Sequence, residues 1–409
     1  MTRHRKPRIL YVTPFWPHRA GIGAEVRSRQ VLEALRGMGD VEVVVLQDAN
    51  GRAGSAPDAV TATVMDTVNV MSRPTNGLAA KVRWMFAARL QYPHGCGVES
   101  GGAERVLRAA NDFDLVWFFK LRSPNLFPNW AWPHSVVDID DVPSTYERAL
   151  ARDGRRFLER LSGRTACFGW RRRERLLGER FNVLSVCSEG DREYLKSLGV
   201  EAPIHVIPNG FDQPVLEPVP KPASPARIGF IGLFDYLPNR DGIRWFAEQC
   251  WPLIKRELPD ARLRLVGRGS DGSAKPAGPD IDGLGWVEQT EAEIATWSAM
   301  IVPIRIGAGT RVKIAQGFGQ KCPTVSTKLG AYGYDVVDGR EILLADSAKD
   351  FADACVRLIR QPKEARQMAD RAWQLFLKNW TWDAIRPRVW AAAEDCLRRR
   401  ADEKSTGNV

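Results

Sequence analysis

Residues 300–326, MIVPIRIGAGTRVKIAQGFGQKCPTVS, hold the side chains best suited to chemistry in this chain. An apolar, strand-like stretch over 300–306 stops at Gly307-Ala308-Gly309-Thr310, and a helix-like stretch begins near Arg311. Small residues at such a turn let backbone N–H groups approach an anion, and the positive end of the helix dipole favours a phosphate there. Arg305, Arg311 and Lys313 add charge beside it. The chemistry on offer is binding of a phosphate or diphosphate. A lone Gly-x-Gly also fits a tight turn that only saves space. A second group, Asp138, Asp140 and Asp141, crowds one strand end. Like charges so close raise one another's pKa, which suits acid/base work or a bound cation; a loop and helix-cap cluster is the plainer reading.

Alternating strands and helices position these groups. Continuous apolar runs at 8–13, 41–46, 114–119, 135–139 and 183–187 predict a parallel sheet covered on both faces. A helix is expected over 24–36, after the turn Gly21-Ile22-Gly23. Residues 50–75 show little periodicity and read as a weak strand and loops. Five prolines in 214–226 exclude a helix or central strand and mark a linker. A second alternating half follows, with strands at 227–232 and 262–266 and a helix over 241–258 that has Asn239 near its start. Weaker strand signals lie at 283–287, 300–304 and 324–326. Ser188 reads as a helix N-cap. Residues 362–400 are helical in character, with Trp373, Phe376, Trp380, Trp382 and Trp390 as packing residues.

At 409 residues and 44% hydrophobic content, two or three domains are expected. A net charge of +10 favours acidic partners such as sugar nucleotides or anionic lipid. Nucleic acid is not expected, since no zinc-finger spacing or aromatic-basic RNA signature is present. Seven scattered cysteines without a C-x-x-C pair predict reduced thiols and a cytoplasmic location. No two of the five histidines make a metal-ligand pair, and His134 alone lies near suspected chemistry. The N-terminal apolar run is too short for a signal peptide, and no stretch approaches a membrane span. The arginine-rich segment 148–180, interspersed with Leu158, Leu161 and Phe168, fits either a solvated face or a basic amphipathic helix held against anionic lipid at the inner face of a membrane.

The order and spacing of several segments resemble a GT-B glycosyltransferase of the large retaining family 4. They are VIPNGFD at 206–212, FIGLFDYLPNRDGIRWF at 230–246, PDARLRLVG at 259–267, IRIGAGTRVK at 304–313, CPTVST at 322–327 and DSAKDF at 346–351. The resemblance implies an α/β fold with two Rossmann-like domains facing a cleft and a C-terminal helix packing back on the N-terminal domain. It implies an acceptor domain over 1–212, a linker over 213–226, a donor domain over 227–380, a helix over 381–400 and a disordered tail over 401–409. It also implies transfer of a sugar from a nucleotide-diphospho-sugar to a hydroxyl of a glycan or lipid-linked acceptor, with retention, in envelope or exopolysaccharide assembly. No cofactor or metal is implied.

By the same resemblance, Arg311 and Lys313 stabilise the leaving diphosphate, with Gly307, Gly309 and Thr310 supplying close donors. Gly21 and Gly23 approach the diphosphate or acceptor, Asn239 lies on the donor side, and Gly285 and Val287 meet the nucleobase through backbone groups. Gln316 contacts ribose, and Asp140 or Asp141 takes the place of a family histidine, with Asp140 the catalytic candidate. The chain departs from the family at Ala308 and Gln316, where many relatives carry glutamates, and at Tyr332, where another glutamate is common. Those departures motivate an alternative: a non-catalytic sugar-nucleotide-binding or scaffold protein. A sugar-nucleotide epimerase of the same architecture fits less well, because histidine is scarce.

Overall fold

A computed structural model describes residues 5–14, 16–17, 23–48, 64–72, 77–89, 96–153, 157–273, 275–307 and 309–406. The chain divides into two compact units, Met1–Pro208 with Ile385–Val409, and Asn209–Ala384.

Eight strands form the sheet of the first unit: β1 Arg8–Thr13, β2 Asp40–Asp48, β3 Val64–Ser72, β4 Cys96–Val98, β5 Leu115–Phe119, β6 Ser135–Asp138, β7 Val183–Val186 and β8 Ile204–Val206. Their order is β4-β3-β2-β1-β5-β6-β7-β8, parallel except for β4 on β3. Runs such as LVWFF in β5 are buried at every position, as a sheet covered on both faces requires. β3 has nine residues, a full strand where weak periodicity suggested a marginal one. Its MDTVNV core mixes polar and apolar residues near one edge of the sheet, which blurs any single period. Ser188 caps the helix Glu189–Ser197 by accepting from the Asp191 N–H at 3.1 Å.

The second unit carries β9 Arg227–Ile231, β10 Arg262–Val266, β11 Ile281–Gly283, β12 Ala299–Val302, β13 Thr324–Ser326 and β14 Leu343–Leu344, in the order β11-β10-β9-β12-β13-β14. β11 reaches only the first residue of the 283–287 signal, and 284–287 is irregular backbone. The helix after β9 starts at Leu237, not 241, because Pro238 fits its first turn; a π-helical stretch, Phe246–Cys250, interrupts it. Residues 213–226 take neither helix nor strand, and Lys221 and Ala223 donate to the Ala295 and Thr296 carbonyls.

Trp373, Phe376, Trp380 and Trp382 are buried. The last helix, Trp382–Thr406, packs on the first unit: the Trp390 indole donates to the Ala34 carbonyl at 2.7 Å, and Arg400 pairs with Asp114 at 3.0 Å. It runs past Arg400 through Thr406, so residues 401–406 are helical rather than a disordered tail. No helix among the described residues is long and apolar enough to cross a membrane.

Candidate functional site

In the second unit the chain winds outward from β9 through β10 and β11 on one side, then from β12 through β13 and β14 on the other. The switch point therefore lies between β9 and β12, where open α/β sheets bind ligands beyond the strand ends. Two loops flank it: 232–236 after β9 and 303–311 after β12.

A hydrogen bond joins the two helices that follow these loops. The Lys313 ammonium donates to Asn239 Oδ1 at 2.7 Å, while Asn239 Nδ2 donates to the Leu233 carbonyl at 2.8 Å. The ammonium also sits 4.2 Å from the centre of the Phe230 ring. Gly232 makes this approach possible, because a Cβ there would lie 2.7 Å from Asn239 Nδ2 and 3.1 Å from Lys313 Nζ. Among the described residues no carboxylate pairs with Lys313. Burial, with repulsion from Arg311, pushes its pKa well below the usual lysine value. A desolvated cation without a counter-charge is costly, and an incoming anion removes that cost.

The helix Val312–Gly319 follows with no side chain capping its first turn, so its dipole faces the same point. Gly307 takes φ +112°, open to glycine and strained for other residues, and Gly309 takes +77°. Arg311 folds back to donate to the Gly309 carbonyl at 2.9 Å, and its own carbonyl accepts from Tyr334 Oη at 3.0 Å. Thr310 Oγ1 accepts from Asn209 Nδ2 at 2.8 Å. Gln316 Nε2 donates to Thr290 Oγ1 at 3.2 Å, leaving its amide oxygen as an acceptor. Lys313, Asn239, Thr310, Arg311 and Gln316 thus stand on loops and a helix around one strand-end edge. Arg305 is instead turned over the Trp245 ring at 5.2 Å. Ala308 lies outside the described residues.

The Gly285 N–H donates to Ser270 Oγ at 2.9 Å, and its carbonyl accepts from the Gly267 N–H at 2.8 Å and keeps a second lone pair. Val287 has no such backbone partner among the described residues, and Trp286 beside it is 65% exposed.

In the first unit, Asp138 and Asp140 end β6 and the turn after it. Arg27 grips Asp138 with two bonds, Nη2 to Oδ1 at 2.9 Å and Nε to Oδ2 at 3.1 Å, and Ser185 adds a third at 3.0 Å. The same guanidinium donates to the Ile207 and Pro208 carbonyls. Asp140 takes φ +63°, accepts from Cys187 Sγ at 3.0 Å and pairs with Lys120 at 2.7 Å. Crowding of like charges predicted a raised pKa for Asp140, and the structure gives the opposite. Burial alone would raise it, but Lys120 and Arg27 outweigh burial and hold the carboxyl well below its ordinary range. Asp140 is therefore a fixed carboxylate, ill suited to taking and returning a proton near neutral pH. The Asp138-Ile139-Asp140 segment is likewise engaged with cations of the protein itself.

Gly23 is the first residue of the helix Gly23–Arg36, and Gly21 lies outside the described residues. Reading the sequence left Arg27 open between a solvent-facing and an acceptor-facing role, and missed Lys120, Asn209 and Thr290. Arg27 and Lys120 carry no local signal, since their partners are 111 and 20 positions away. Asn209 was visible inside the VIPNG segment, but not its role.

Comparison with known proteins decides the family. The family model described as "Glycosyl transferase 4-like domain" matches residues 22–210, and "Glycosyl transferases group 1" matches 225–361. The chain belongs to the group 1 glycosyltransferases, with the GT-B fold. Among solved structures, this glycosyltransferase resembles sucrose-phosphate synthase from Thermosynechococcus elongatus at 15% identity and TM-score 0.66, over 97% of this chain and 100% of that one. It resembles HepE of Anabaena, solved with UDP-glucose, at 13% identity and TM-score 0.61, over 94% and 98%. At these identities the likeness concerns the fold alone. A curated relative, an uncharacterized 44.6 kDa protein in the cps region of Klebsiella pneumoniae, is 22% identical over 37% of this chain; the match spans 42% of the relative. The second family model takes in the whole Lys313–Asn239 site.

Proposed function

We propose that this glycosyltransferase moves a sugar from a nucleotide-diphospho-sugar to an acceptor hydroxyl, with retention and without a catalytic metal, in building envelope or exopolysaccharide glycans. One observation carries the reading: the Lys313 ammonium, lacking a carboxylate among the described residues, sits at the switch point beside an uncapped helix start and the 307–310 loop. A diphosphate supplies the missing counter-charge. Arg311 and Lys313 then stabilise the charge that develops as the sugar–phosphate bond breaks. The acceptor oxygen bonds to the anomeric carbon on the face the phosphate leaves, and the departing phosphate oxygen takes the acceptor proton. No enzymic carboxylate is needed, so Gln316 serves as a neutral ribose contact, and Asp140 serves to hold Lys120. HepE, solved with UDP-glucose, makes a UDP-sugar the first donor to try, and the cps-region relative supports a surface-glycan role. The test is NMR of the product formed from donor and acceptor extract in EDTA. A product anomer matching the donor supports the reading. Inversion or a strict metal requirement contradicts it, and donor binding without turnover favours the scaffold alternative.

An anionic membrane surface is the partner we propose for the acceptor side. The segment 148–180 is not one solvated helix: Arg173 and Arg180 are buried, and Arg148 stacks over Tyr194. The large hydrophobic side chains that the described part of the first unit exposes are Val82, Phe86, Leu161 and Phe168, on the helices Gly77–Phe86 and Phe157–Glu174. Phe86 and Phe168 meet edge-on at 6.2 Å, and Arg172 lies 5.6 Å over Phe168. Arg83, Arg164, Arg171 and Arg175 are exposed on the same two helices or just beyond them. Aromatic side chains ringed by arginine suit the interface of an anionic bilayer. The protein should sediment with phosphatidylglycerol vesicles at low salt, and Phe86→Ser with Phe168→Ser should weaken that binding by roughly tenfold or more. No sedimentation of the wild type at low salt would refute this partner.

A further inference from the structure

Thr310 closes the small-residue loop ahead of the helix Val312–Gly319, and its hydroxyl makes one hydrogen bond among the described residues: it accepts from Asn209 Nδ2 at 2.8 Å across 101 positions of sequence. Both side chains are buried, at 8% and 9% exposure. A threonine hydroxyl has one proton to give. Because the amide N–H donates, that proton points away from Asn209 and stays available. We infer that Asn209 is a positioning residue that aims the Thr310 O–H at the donor's diphosphate. The inference rests on the donor reading above and adds a group to it.

The chain around Asn209 is held for such a task. Two residues on, the Phe211 N–H donates to the Trp380 carbonyl at 2.9 Å, and Phe211 bridges Thr381. The amide therefore projects from backbone anchored within its own unit. An amide that donates to a hydroxyl also polarises it, strengthening the bond that the hydroxyl in turn gives to an anion. The choice of asparagine follows. An aspartate of the same shape can only accept, so it would capture the Thr310 proton, turn the hydroxyl around and place a negative charge close to the phosphate site.

The experiment measures dissociation constants for UDP-glucose, or for whichever nucleotide sugar the wild type binds, and for the matching nucleoside, which has no phosphate. The variants are Asn209→Ala, Asn209→Asp, Thr310→Val and Asn209→Ala with Thr310→Val. Asn209→Ala should weaken nucleotide-sugar binding roughly tenfold, and Asn209→Asp more than that. Nucleoside binding should stay unchanged throughout. The double variant should be no weaker than Thr310→Val alone, because Asn209 acts through that hydroxyl. A residue that only supported the fold would shift both ligands together and add to Thr310→Val. Asn209→Asp keeps shape and volume, so it carries the test even where Asn209→Ala fails to fold. Wild-type affinity in Asn209→Asp, equal losses for nucleotide sugar and nucleoside, or additive losses with Thr310→Val would each overturn the inference. If the Arg311→Ala with Lys313→Ala variant also binds like wild type, the donor reading itself has failed. If that variant loses binding while Asn209→Asp does not, only the role of Asn209 has failed.

Discussion

Replacing Arg311 and Lys313 together by alanine should lower donor kcat/KM by roughly a thousandfold or more, the scale seen when preorganised charge stabilisation is removed from a leaving group. The two cations lie near enough for Arg311 to lower the Lys313 pKa. Lys313 is fixed by Asn239 and the Phe230 ring, and Arg311 by the Gly309 carbonyl, so neither must reorganise when a diphosphate arrives. The fold should survive, since neither residue is a core hydrophobe and Lys313 is half-buried without a carboxylate partner among the described residues. Lys313→Met alone should even raise the melting temperature while abolishing donor binding, because it exchanges a desolvated cation for an apolar chain of similar length. Steady-state kinetics and thermal unfolding of the same preparations check both halves. Near-normal kcat/KM in the double variant would remove the basis of the site assignment.

Donor binding should draw a proton onto Lys313. In the free protein its pKa is depressed, first by burial and then by Arg311. A diphosphate beside the ammonium favours the charged form and raises the pKa. Between the free and bound values, each donor bound takes up part or all of one proton, and donor affinity falls as pH rises through that window. The stability of the free protein moves the other way. The folded pKa lies below the ordinary lysine value, so over that interval the unfolded chain holds more protons, and stability rises with pH. Calorimetric titrations in two buffers of different ionisation enthalpy measure the uptake directly. Wild type should show it, and Lys313→Met with any residual binding should not. An uptake that persists in Lys313→Met would assign the proton elsewhere.

The fold was legible wherever the signal is local. Apolar β-branched runs such as VEVVVL in β2 and RIGFI in β9 mark buried parallel strands, and the glycines after β12 mark the turn into the helix Val312–Gly319. The site was legible only as a list of residues on those turns. What joins them is set by partners far apart in sequence: Lys313 with Asn239 across 74 positions, Asn209 with Thr310 across 101, Arg27 with Asp138 across 111. The three aspartates show what this costs a reading of letters. Sequence presents only the like charges, whereas the fold brings Arg27 and Lys120 to them and reverses the direction of the Asp140 shift.

The measurement that tests the central claim most directly is a calorimetric titration of the full chain with UDP-, GDP-, ADP- and dTDP-sugars in EDTA. The account predicts that one nucleotide series binds without metal and that the Arg311→Ala with Lys313→Ala variant loses that binding. No binding of any series by folded protein, or equal binding by the variant, would contradict it.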